Sequence, residues 1–121
     1  MTATPIPEGF YAITPYLFAQ GALRLIAFIS AAFEGELIFK QKRPDDAIMR
    51  ARMRIGDSML MLADATPDFG SMATSIDLYV RDCDAVCHRA LGSAGASVFP
   101  FMTLPSGERY GGVKGPCGEI W

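Results

Sequence analysis

The sequence predicts an α+β fold of two tandem modules, each running strand, helix, strand, strand, strand. Three observations carry that prediction. Ile48 to Ile55 alternates, with Met49, Ala51, Met53 and Ile55 on one side and Arg50, Arg52 and Arg54 on the other, the two-residue period of a half-buried strand. Ala22 to Phe33 sets Leu23, Leu25, Ile26, Ile29, Ala32 and Phe33 close to the helical period. Finally, Thr14-Pro-Tyr-Leu-Phe-Ala can be laid over Ser75-Ile-Asp-Leu-Tyr-Val, and the same order of elements follows each.

The elements follow in order. Phe10 to Ala19 is rich in aromatic residues and reads as a strand with an irregular start at Pro15. The helix over 22–33 stops near Glu34-Gly35, with Gly35 as the terminating residue. Glu36 to Lys40 is a strand, Arg43 to Asp46 a turn, and Gly56-Asp57 the tight hairpin between the alternating strand and Ser58 to Ala63. Asp64 to Ala73, with Pro67 and Gly70, is the longest polar connection. In the second half, Ser75 to Val80 is a strand, Asp82 caps a helix over Cys83 to Ala94, and Gly95 stops it. Strands over Ser97 to Met102 and Glu108 to Lys114 follow, and Glu119 to Trp121 begins another. The organisation is a short tail over residues 1–9 and one domain over 10–121, with module one at 10–64, a linker at 65–74 and module two at 75–121.

Composition narrows the function. The chain has 121 residues, 50% hydrophobic and 20% charged, with net charge −2; its pI is about 5.3. No basic footprint for nucleic acid is present. The apolar run from Leu23 to Phe33 is interrupted by Arg24 and falls short of the ~20 residues that span a bilayer, so a membrane role is not expected. No basic stretch followed by an apolar run opens the chain, and three cysteines cannot all pair, which together point to the cytoplasm. Cys83 and Cys87 are four apart, one helical face, and read as small apolar side chains between helix and sheet. His88 is the one histidine. No nucleophile elbow occurs, and Tyr110-Gly-Gly-Val113 lacks the lysine spacing of a phosphate loop.

The stretch Arg109-Tyr-Gly-Gly-Val-Lys114, followed by Pro116, Gly118 and Trp121, resembles the C-terminal signature of the PhnB-like branch of the vicinal oxygen chelate superfamily (glyoxalase, bleomycin-resistance protein, extradiol dioxygenase). The pattern there is roughly Gly-Asp-Arg-Tyr-Gly-Gly-Val-Arg-Asp-Pro-Phe-Gly-His-x-Trp. This chain departs from it at Gly115, Cys117 and Glu119, where the pattern has Asp, Phe and His. Thr14-Pro-Tyr-Leu17, Ala31-Ala-Phe33, Arg54-Ile-Gly-Asp-Ser58 and Leu78-Tyr-Val-x-Asp-x-Asp-Ala85 are similar to the branch in the same order. The resemblance implies tandem βαβββ modules forming a curved, half-open mixed sheet around a concave cleft, with the last strand cut short. It also implies a homodimer; Phe99, Phe101, Met102 and Leu104, clustered ahead of a turn, read either as an intersubunit face or as ordinary core of a strand covered on both sides.

Superfamily members that use a metal hold one divalent ion through His and Glu spread over both modules. The corresponding positions here fall near Tyr11 to Ile13, at Arg50, at Ser75, and just beyond Trp121. A guanidinium offers no lone pair to a cation, so no metal or other cofactor is expected. The expected function is a glyoxalase- or bleomycin-resistance-like protein that binds a small, anionic molecule without a metal. Arg50, Arg52, Arg54, Arg109 and Tyr110 are its candidate ligand-binding residues, because guanidinium groups suit carboxylate, phosphate or sulfonate. Arg109 and Tyr110 are adjacent on a strand and point to opposite faces, so at most one lines a shared pocket. The competing expectation has the three β-strand arginines paired with Asp45, Asp46, Glu36 or Asp64. The alternative function is a metal-dependent lyase or dioxygenase with a rearranged site, for which Glu119 is the candidate catalytic carboxylate; the plainer reading of Glu119 is a solvated turn residue.

Overall fold

A computed structural model of the chain describes residues 5–72 and 74–121. The expected tail over 1–9 thus falls in part on residues outside those described. Module one contains β1 (Tyr16–Ala19), α1 (Ala22–Phe33), β2 (Glu36–Lys42), β3 (Ile48–Ile55) and β4 (Ser58–Asp64). They make a four-stranded sheet of order β1-β4-β3-β2, with β1 parallel to β4 and the other pairs antiparallel. The first strand is shorter than the expected 10–19. Proline has no N–H to give a ladder, and pairing begins where the Pro15 carbonyl accepts from Met61 N at 2.9 Å.

Module two contains α2 (Cys83–Gly92), β5 (Ala96–Thr103) and β6 (Arg109–Lys114), with β5 antiparallel to β6. Single bridges join Ser75 to Ile120 in parallel and Ile120 to Lys114 in antiparallel sense. The order Ser75, Ile120, β6, β5 therefore repeats β1-β4-β3-β2, and the duplicated topology holds. The strands expected over Ser75 to Val80 and Glu119 to Trp121 are corrected to these bridges. A strand needs a partner along its length, and Asp77 to Val80 have none opposite them.

Helix ends follow local chemistry. Asp82 caps α2 as expected, its Oδ1 accepting from Ala85 N at 3.1 Å. The helix closes at Gly92 rather than Ala94, which has left the helix at φ 77°. At the end of α1 it is Glu34, not Gly35, that takes the left-handed conformation, at φ 56°.

The core lies between α1 and the first sheet and continues into the seam with α2. On α1, Leu25, Ile26, Ile29 and Ala32 are buried as the periodicity requires, but Leu23 is exposed and Phe28 is buried. A single stripe does not describe this helix because it is covered on two sides. Phe28 meets Phe33 edge-on at 5.5 Å, Phe33 meets Trp121 at 4.8 Å, and Arg89 of α2 donates to the Ala32 carbonyl at 3.3 Å. That last contact sets a cation at the negative end of the α1 dipole.

Candidate functional site

The alternation of β3 puts Ala51, Met53 and Ile55 under α1 and turns Arg50, Arg52 and Arg54 to the helix-free face. Met49, expected among the buried set, is 44% exposed, and Ile48 is buried in its place. The register jumps from Gln41↔Arg50 to Lys42↔Ile48, so Met49 is the extra residue of a β-bulge, and the bulge reverses which residue faces inward.

The three arginines have different surroundings. Arg54 pairs with Glu36 at 2.7 Å on an exposed edge, an interaction worth little in water. Arg50 donates to Gln41 Oε1 at 3.2 Å and lies over the Phe39 ring at 5.9 Å. The Arg52 guanidinium sits 5.3 Å from the Phe39 centroid and 5.7 Å from that of Phe10. It makes no ion pair or side-chain hydrogen bond among the described residues, and its Nε is buried without a partner. Of the acids expected to neutralise these residues, only Glu36 does so. Asp45 instead faces Arg43 at 3.7 Å.

Asp64 has a role that sequence reasoning missed. Its Oδ1 accepts from Gly21 N at 3.2 Å and Ala22 N at 2.8 Å, and its Oδ2 accepts from Ile48 N at 2.7 Å. Gly21 begins α1 without a side chain to cap it, so a carboxylate from the end of β4 supplies the cap and holds the bulged start of β3 as well.

Arg109, Tyr110 and Glu119 lie in module two. Arg109 turns toward α2, where Asp84 accepts from its Nε at 2.9 Å. Tyr110 turns the other way and stacks on Phe99 at 5.2 Å. The two point apart, yet both border the groove beside β6, away from the three arginines of β3. Glu119 is not solvated: it is 3% exposed, with Oε1 accepting from the Trp121 indole at 3.2 Å and Oε2 from Cys117 N at 3.0 Å. Both carboxylate oxygens are engaged in shaping the final turn.

The thiols of Cys83 and Cys87 lie 3.9 Å apart against β6. An added Cβ at Gly111 would come within 2.7 Å of the Cys87 sulfur, so that glycine gives the helix room to approach. Burial, with the neighbouring Cys83 sulfur, pushes the Cys87 thiol up to about 11, which makes it a poor nucleophile near neutrality. His88 packs edge-on against Phe101 at 5.4 Å.

The residues present do not fit a divalent metal of the family type. Among the described residues no three His, Cys, Asp or Glu side chains converge. The guanidinium of Arg50 offers a cation no lone pair, and the Glu119 carboxylate is already held by two donors.

A groove of about 660 Å³ opens between Ser75–Arg81, the Cys83, Val86, Cys87 and Ala90 face of α2, and β6. The backbone pairing between its two walls is the bridge at Ile120. Of the two arginines that line it, Arg109 is paired with Asp84 and Arg81 makes no ion pair among the described residues. We read it as an interlayer gap in the second sheet, its lining mixing apolar side chains with Asp77, Arg81 and Glu108.

No family model matches the chain. A curated relative, the uncharacterized protein Mb0911c of Mycobacterium bovis, is 30% identical over 121 residues, spanning 91% of this chain and 80% of the relative. Among solved structures, TioX from Micromonospora sp. superposes with a TM-score of 0.77 at 19% identity, covering 90% of this chain and 93% of TioX. The PhnB protein from Bacillus cereus gives 0.68 at 19% identity, covering 92% and 96%. Glyoxalase and bleomycin-resistance proteins share the same arrangement. The chain belongs to the family of Mb0911c and has the fold of the vicinal oxygen chelate superfamily in its PhnB-like form.

Proposed function

We propose that this protein binds small organic anions on the helix-free face of its first sheet, with Arg52 as the anchor and Arg50 at the rim. One observation carries the reading: the Arg52 guanidinium has no acceptor among the described residues, and its Nε is buried. A buried donor left without a partner costs about 1–3 kcal/mol, more when charged. An anionic ligand offers acceptors to the terminal nitrogens of the guanidinium and neutralises its charge. Binding by this route involves no metal, in keeping with the donor set.

The chain carries no helix among the described residues long and apolar enough to cross a membrane. Its three free cysteines suit a reducing compartment such as the cytoplasm. The exposed Val98 and Met102 of β5 suit a homodimer interface, which light scattering would detect.

Isothermal titration with carboxylates, phosphates and sulfonates tests the anion reading. Binding of an organic anion to the parent and to Arg43→Gln, with at least a tenfold loss in Arg52→Gln, is the expected result. Equal affinity in Arg52→Gln, or no binding by any organic anion, refutes it. Stoichiometric divalent metal in protein purified without chelator would instead favour a metal-dependent enzyme.

A further inference from the structure

We infer that the ligand of this face is a flat aromatic acid rather than an aliphatic or inorganic anion, an inference that rests on the anion reading above. The register of the first sheet places Tyr16, Met61, Arg52 and Phe39 directly opposite one another across β1, β4, β3 and β2. Residues in register share a face, so these four side chains form one cross-strand row. Neighbouring strands are about 4.8 Å apart, which puts about 10 Å of backbone between Tyr16 and Arg52. That is the reach of a one- or two-ring acid.

The apolar end of the row is aromatic and open. Tyr16 and Phe18 stack at 4.7 Å with their planes 9° apart, and Phe18 and Phe69 continue the stack at 5.3 Å and 13°. Tyr16 is 40% and Phe69 56% exposed, so the stack ends in solvent rather than in core. Between it and Arg52 lies the half-buried thioether of Met61, a side chain that accepts aromatic neighbours. At the other end, Phe10 and Phe39 lie by the guanidinium of Arg52, whose terminal nitrogens have no acceptor among the described residues.

A carboxylate held by those donors would extend its hydrocarbon part over Met61 toward Tyr16. A planar ring covers that path and meets flat neighbours along it. Inorganic phosphate satisfies the guanidinium and leaves the apolar path wet. A saturated ring covers the path without stacking.

The test is titration with four matched probes: 2-naphthoate, benzoate, cyclohexanecarboxylate and inorganic phosphate, with 2-naphthamide as the uncharged counterpart. We expect both aromatic acids to bind at least tenfold more tightly than cyclohexanecarboxylate or phosphate, and the amide at least tenfold more weakly than 2-naphthoate. In Tyr16→Leu, and independently in Phe39→Leu in case one variant folds poorly, the preference for benzoate over cyclohexanecarboxylate should shrink to within about threefold. Cyclohexanecarboxylate or phosphate binding as well as benzoate overturns this inference and leaves the anion reading standing. The amide binding as well as the acid, or no anion binding at all, overturns both.

Discussion

At the scale of single residues, two departures from the signature of the PhnB-like branch turn out to be coupled. Where that pattern has Asp and His, this chain has Gly115 and Glu119. A side chain at position 115 would overlap the Glu119 carboxylate, so the glycine makes the space that the glutamate fills. Glu119 then closes the turn through Cys117 N and the Trp121 indole. Gly115→Asp should cost about 2–4 kcal/mol, through overlap and a second carboxylate beside the first. Adding Glu119→His should return at least about 1 kcal/mol of that loss, measurable as a coupling energy in urea unfolding. Strict additivity of the two substitutions would show that the positions do not compensate. The sequence showed both departures, but not their connection. Nor did it show Glu119 buried, because glutamate is usually at the surface and only the folded turn brings two donors to it.

At the scale of elements, what was readable depended on how local the cause was. The alternation of β3, the burial of Leu25, Ile26, Ile29 and Ala32 on α1 and the Asp82 cap all arise within a few residues, and all are present. The Met49 bulge depends on a strand that precedes β3, and it moved one residue from the buried set to the exposed one. Asp64 shows the limit most clearly: the sequence offers it as the start of a polar connection or a partner for the β3 arginines, yet it caps a helix that starts 42 positions earlier. Three backbone donors, on the start of α1 and the start of β3, depend on that one carboxylate. Asp64→Ala should lower unfolding free energy by about 3 kcal/mol, since hydrogen bonds to a charged acceptor contribute about 1.5–3 kcal/mol each and water replaces part of the loss. Asp64→Asn, which keeps an acceptor but no charge, should cost about half as much. A loss below about 0.5 kcal/mol for Asp64→Ala would mean that the cap is dispensable. The arginine cluster was legible as a pattern for the same local reason, whereas the separation of Arg52 from its paired neighbours required the partners to be seen.

At the scale of the whole molecule, the two copies of the topology are unequal. Module one has a continuous four-stranded ladder, and every buried apolar residue among those described belongs to it except Cys87, Ala90, Val113 and Trp121. Module two has one two-stranded pair, two bridges and the 660 Å³ gap. Local stability follows buried contacts and paired backbone, so the second copy should open first. Amide hydrogen exchange below the unfolding midpoint should show α2, β5 and β6 exchanging faster than β3 and β4, and equal protection in the two modules would contradict this. The seam itself contains a means of watching the event. Trp121 is the sole tryptophan of the chain, 8% exposed, set against Phe33 of the first module and bonded to Glu119 of the second. Its emission is therefore a gauge, without any added label, of whether the two halves are docked: blue while the indole is enclosed, red once the second half lets go.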